Sequence, residues 1–95
     1  MVESKRPLFS LGQCVATPGA LAALAEAGQV PADFLARHQA GDWGQIDPGD
    51  QGANEQALQD DARIFSVYTT SNGVKLWVIT EADRASTCIL LPDEY

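Results

Sequence analysis

The sequence predicts an α+β domain: two or three short helices packed on one face of a three-stranded antiparallel β-meander, with an N-terminal strand added at an edge. Three observations predict it. From Thr17 to Asp60, apolar residues recur at helical spacing between proline starts and glycine stops. From Arg63 the apolar period drops to two. Asn72-Gly73 then divides that second region as a hairpin turn does.

The elements follow in order. Leu8 to Ala16 reads as a short strand interrupted at Gly12, where a bulge is expected. Thr17-Pro18 starts a helix: threonine caps, and proline suits the first position because its missing N–H has no intrahelical partner there. Leu21, Leu24 and Ala25 line one stripe, and Gly28 stops it. A second helix begins at Pro31 and stops at Gly41, with Asp33 in its first turn and an Asp33–Arg37 pair at i,i+4. Asp47-Pro48 opens a third helix running toward Asp60, whose thin apolar face (Ala53, Ala57, Leu58) places it on the surface.

Taken as a two-residue type I′ turn, Asn72-Gly73 pairs Phe65 with Thr80, Val67 with Val78, Thr69 with Leu76 and Tyr68 with Trp77. Phe65, Val67, Val74, Leu76 and Val78 would then face the helices. Tyr68 and Trp77 would stand together on the outer face. A third strand from Ser86 to Leu91 ends at Pro92.

At 95 residues, 45% apolar and 20% charged, the chain is read as one globular domain over residues 1–95, with 1–7 flexible. Doubly wound nucleotide folds and TIM barrels do not fit in this length. No apolar run approaches the ~18 residues of a membrane helix, and Met1–Pro7 lacks the apolar stretch of a secretion signal. Cys14 and Cys88 are too few for a disulfide framework, so reduced thiols and a cytoplasmic location are expected. With a single histidine, neither a metal site nor a cofactor is expected.

Thirteen acids against six bases give a net charge of −7. Between His38 and Arg63 there is no Lys or Arg, while Asp42, Asp47, Asp50, Glu55, Asp60 and Asp61 fall in that stretch. Phosphate neutralisation needs a clustered basic surface, so direct nucleic-acid binding is not expected. An acidic surface serves solubility, and it also complements a basic protein partner.

The blocks His38-Gln39-Ala40-Gly41-Asp42-Trp43-Gly44 and Ile79-Thr80-Glu81-Ala82-Asp83-Arg84, with Leu90-Leu91-Pro92-Asp93-Glu94-Tyr95, resemble a family of small proteins carried on plasmids, integrative elements and phage-like islands. The likeness spans Phe9 to Tyr95. Cys88 departs from it, standing where a second threonine is expected after Thr87, which makes that position one of packing. Some members carry a label as type I restriction endonuclease subunit M. Methyltransferase activity is rejected here, because the chain has neither a glycine-rich cofactor turn nor an Asn/Asp-Pro-Pro-aromatic loop. The resemblance implies a mobile-element setting rather than a mechanism.

Candidate catalytic residues are His38, Asp42 and Asp83. A histidine at a helix end with Asp42 four residues on can form an oriented imidazole–carboxylate pair, or it can simply answer the helix dipole. Arg63 and Arg84 can clamp a phosphate with Glu81 or Asp83 as base, or staple the strand connection by ion pairs. Tyr68 and Trp77 form a recognition platform or ordinary cross-strand packing, and Trp43 plugs the core edge. Two function classes result. The first is a non-enzymatic protein-binding module, an accessory or anti-defence factor engaging a basic partner. The second is a small enzyme or ligand-binding domain for a phosphate-bearing substrate using His38, Asp42, Arg63, Asp83 and Arg84. A homodimer burying the outer hairpin face is a third arrangement.

Overall fold

The computed structural model describes residues 7–95, so the flexible stretch expected over 1–7 lies outside the described residues except for Pro7. The chain runs β1 (Gln13–Ala16), α1 (Pro18–Glu26), α2 (Pro31–Gln39), α3 (Pro48–Asp60), β2 (Ile64–Thr69), β3 (Lys75–Thr80), β4 (Ser86–Leu90) and a 3-10 turn (Pro92–Glu94). The fold is α+β. The four strands form one mixed sheet in the order β1-β4-β3-β2: β2, β3 and β4 are an antiparallel meander, and β1 joins at the edge parallel to β4.

The local start signals act as their chemistry requires. The Thr17 hydroxyl accepts from the Ala20 N–H at 3.2 Å, and the Asp47 carboxylate from the Asp50 N–H at 2.9 Å, each followed by proline at the first helical position. Asp33 accepts from the Val30 N–H at 3.1 Å, but its expected pairing with Arg37 does not form. Arg37 turns instead to Asp42, at 2.7 Å. β1 is also shorter than the Leu8–Ala16 strand expected, because the chain is extended only after Gly12.

The hairpin register is the main correction. Gly73 alone takes a positive φ (84°), the Gly73 N–H donates to Thr70 O (2.9 Å), and the Thr70 N–H donates to Val74 O (2.8 Å). This is a three-residue loop, a type I turn closed by a left-handed glycine, rather than a type I′ turn with two. Thr69 therefore pairs with Lys75, Tyr68 with Leu76, Val67 with Trp77 and Ser66 with Val78. The cause is non-local. Asn72 Nδ2 donates to Glu26 O (3.0 Å) and Ser71 Oγ donates to Ala27 O (3.0 Å), so the loop caps the C-terminal end of α1.

A one-residue slip turns every β2 side chain over. Ile64, Ser66 and Tyr68 face the helices, and Phe65 and Val67 face away. The main core joins Ala20, Leu24 and Phe34 of α1 and α2 to Tyr68, Leu76, Val78 and Ile89 of the sheet. A second cluster, Trp43, Ala57 and Ile64, seats α3 against the β2 end of the sheet. The free edge of β2 is closed by the chain itself. Asn54 brackets the Phe65 backbone (Nδ2 to O, 2.6 Å; N–H to Oδ1, 3.1 Å), and Trp43–Gln45 exchange backbone hydrogen bonds with Val67.

Candidate functional site

The candidate residues separate into buried structural groups and an open groove. His38 is fully buried, walled by the rings of Phe9 and Trp43. Its Nδ1 lies 2.6 Å from Ser66 Oγ and its Nε2 2.9 Å from Thr80 Oγ1; Thr80 Oγ1 is 2.7 Å from Thr87 Oγ1, which reaches Leu11 O at 2.8 Å. The carbonyl at the end only accepts, so each proton in the chain is assigned. Thr87 donates to Leu11, Thr80 donates to Thr87, His38 Nε2–H donates to Thr80, and Ser66 donates to the bare Nδ1. The imidazole is thus a neutral Nε2–H tautomer. Burial holds its pKa down at about 4. Ser66 is equally enclosed, so the serine–histidine contact has no route to a substrate.

Asp42 is not the partner of His38. Its carboxylate takes Arg37 Nε at 2.7 Å and the Gly44 N–H at 3.3 Å, and its carbonyl accepts from Tyr68 Oη at 2.6 Å. The Asp42 carboxylate raises the Arg37 pKa, and burial pushes the Tyr68 phenol up to about 12. Tyr68 sits inside with Phe34 while Trp77 lies on the other face, so the expected Tyr68–Trp77 platform does not exist. Trp43 plugs the core edge, 3% exposed, and donates from Nε1 to Glu55 at 3.2 Å.

Arg84 is consumed by the backbone. Its guanidinium donates to Ala57 O (2.9 Å), Ala62 O (2.7 Å), Glu81 O and Ala82 O (both 3.2 Å), which ties the end of α3 to the β3–β4 turn. Arg84→Lys is expected to cost about 2 kcal/mol, because an ammonium cannot span the same fork of carbonyls. Chemical denaturation would check this, and an unchanged midpoint would show that the clip is idle. Arg63 bonds Glu81 (3.2 Å) and Tyr95 Oη (2.8 Å), and Asp83 accepts from the Ala85 N–H (2.9 Å). The five residues of a phosphate site therefore work at separate posts. Among the described residues, no three His, Cys, Asp or Glu side chains group to hold a metal. No described helix is long and apolar enough to cross a membrane.

What remains open is the face of the sheet turned away from α1 and α2. Trp77 there meets Phe65 edge-on (centroids 5.2 Å apart) and Tyr95 (5.7 Å). A cleft of about 340 Å³ on this face is lined by Phe65, Val67, Lys75 and Trp77 of the sheet, by Gln45, Ile46, Asp47 and Asp50, and by Pro92. The register that hides Tyr68 is what puts Phe65 and Val67 beside Trp77. Sequence reasoning singled out Trp77 but missed Phe65, Val67, Asp47 and Asp50 as one site. The only signal for the acids was the charge run itself.

Comparisons with protein-family models, curated proteins and solved structures find no match for this chain.

Proposed function

We propose that this protein is a non-enzymatic protein-binding module whose outer-face cleft takes a basic segment of a partner protein. One observation carries the reading: the acidic run flanks an aromatic-floored cleft and is left almost unneutralised. Of Asp42, Asp47, Asp50, Glu55, Asp60 and Asp61, only Asp42 enters an ion pair among the described residues. Asp47 and Asp50 form the cleft wall beside Phe65 and Trp77.

A lysine or arginine laid in the cleft would rest its aliphatic stem on Val67 and Ile46. Its charge would sit between the two carboxylates and the indole face, an arrangement that favours cations. Lys75 also lines the cleft, and its charge would direct the cation of a bound segment toward Asp47 and Asp50. The net charge steers a basic partner before contact. In the mobile-element setting implied by the resemblance, the role is that of an accessory or anti-defence factor, and basic surfaces belong there to nucleic-acid-binding proteins.

Titrating an Arg/Lys-rich peptide while following tryptophan fluorescence is expected to show binding that weakens with added salt. Asp47→Asn with Asp50→Asn should weaken it roughly tenfold, about 1.4 kcal/mol. Asparagine caps a helix as well as aspartate does, so the variant keeps α3 intact. Salt-insensitive association, or equal affinity in the double variant, would remove the reading.

A further inference from the structure

We propose that the free edge of β1 joins a second copy of this chain, two β1 strands pairing antiparallel about a two-fold axis at Val15. The inference is independent of the basic-partner reading and uses the opposite edge of the sheet.

The two edges are treated differently. β2 is closed by Asn54 and by Trp43–Gln45, whereas β1 is the outermost strand on its side among the described residues. The Gln13 N–H donates to Ala85 O (2.9 Å) and the Thr17 N–H to Ile89 O (3.0 Å). The alternation of a parallel ladder then turns the N–H and C=O groups of Cys14 and Ala16 outward. None of the usual edge protection is present in Gln13–Ala16: no lysine, no proline, no bulge.

The surface around this edge is apolar in both layers. Val15 is 46% exposed and Leu21 48%. Between the strand and the helices lies a cavity of about 210 Å³ lined by Cys14, Ala16, Leu21, Pro31, Leu35 and Ile89. On α1, Ala22 and Ala25 are exposed alongside Leu21, so its exposed surface short of Glu26 is apolar.

Charge permits a copy of this chain as the occupant, and the two-fold register below favours it. A chain of net charge −7 repels itself across its acidic faces, yet residues 7–25 contain no Asp, Glu, Lys, Arg or His. Self-contact confined there brings no like charges together, and the remaining repulsion is screened within ~8 Å at physiological salt. A basic partner is drawn instead to the α3 side.

Register follows from the hydrogen bonds. With Val15 facing Val15 of the other copy, each Cys14 exchanges two bonds with the opposite Ala16, and every outward group on both strands is satisfied. Centring on Cys14 would instead require Gly12, whose φ of +64° is not that of a strand. The Val15 pairing also sets the two cavities and their Leu21 rims against each other across the axis.

Light scattering coupled to size exclusion at roughly 100 μM, where a micromolar dimer is essentially complete, should give twice the 10.1 kDa chain mass. Val15→Lys, which opposes two ammonium groups on the axis, should give the monomer mass with an unchanged circular dichroism spectrum at about 25 °C. Val15→Cys in a chain also carrying Cys14→Ser and Cys88→Ser should cross-link on mild oxidation. A monomeric wild type overturns the proposal and leaves the edge to a strand from another protein. So does a Val15→Lys variant that stays dimeric, or a dimer that Val15→Cys cannot link.

Discussion

Replacing His38 with leucine is expected to lower the unfolding free energy by about 4 kcal/mol, a large share of what a domain of this size possesses. Leucine fills the space between Phe9 and Trp43. It leaves the Ser66 hydroxyl without its acceptor and Thr80 without its donor, both fully buried. Stability should return in large part when Ser66→Ala and Thr80→Val are added, because the two hydroxyls orphaned by the first change are then gone, while Thr87 keeps its bond to Leu11 O. Denaturant unfolding of the single and triple variants measures the difference. A single variant as stable as wild type would show that the chain of hydroxyls is ornamental.

The wild-type protein supplies a second readout that needs no substitution. His38 is held at about 4 in the fold against 6.5 for an unperturbed imidazole, so the unfolded state binds the extra proton between those values. The contribution is present in full above pH 6.5 and is lost as pH falls through about 4, amounting to about 3 kcal/mol. Glu94 is separable from it. Its carboxylate is held below the usual value of 4.5 first by the Thr17 hydroxyl and then by the Leu91 N–H, so its loss comes only at lower pH. A decline between pH 6.5 and 5 in wild type, absent from the His38→Leu series, is therefore the histidine's.

Sequence and structure part company where a residue's partner lies far along the chain. Helix starts are legible because their signals are complete within four residues: Thr17-Pro18 reaches only to Ala20, and Asp47-Pro48 only to Asp50. The order of the meander is legible from its period. The register is not, because Asn72 is claimed by Glu26 O, 46 residues earlier, and gives up the left-handed turn that its sequence favours. Nor does a polar-looking set of Ser66, Thr80 and Thr87 announce itself as core. It is inward only because α2 delivers His38 to the middle of it, a case of tertiary satisfaction overriding the alternation of apolar and polar residues. Arg84 follows the same pattern, its role set by the carbonyls of Ala57 and Ala62.

Gly44→Ala is expected to cost about 3 kcal/mol, and the size of that effect bears on what the H-x-x-G-D-W-G block is for. Gly44 has a φ of +75°, where an alanine pays about 1–2 kcal/mol for the left-handed region alone. A Cβ there would also collide with the carbonyl oxygen of Val67 and press on the Tyr68 ring. The backbone must then withdraw from β2, loosening the Gln45–Val67 and Val67–Trp43 bonds that seal the edge strand. Gly52→Ala is the matched control: it lies within α3, has open space at its Cβ position, and should gain about 1 kcal/mol from helix propensity. Thermal unfolding of the two variants should move in opposite directions, and parallel shifts would refute the steric argument. Four residues of the block have structural posts. His38 anchors the hydroxyl chain, Asp42 holds Arg37, Trp43 closes the core, and Gly44 admits the strand. The edge these residues hold also positions the lining of the cleft proposed above as a binding site: Phe65 and Val67 on β2, with Asp47 and Asp50 at the start of α3.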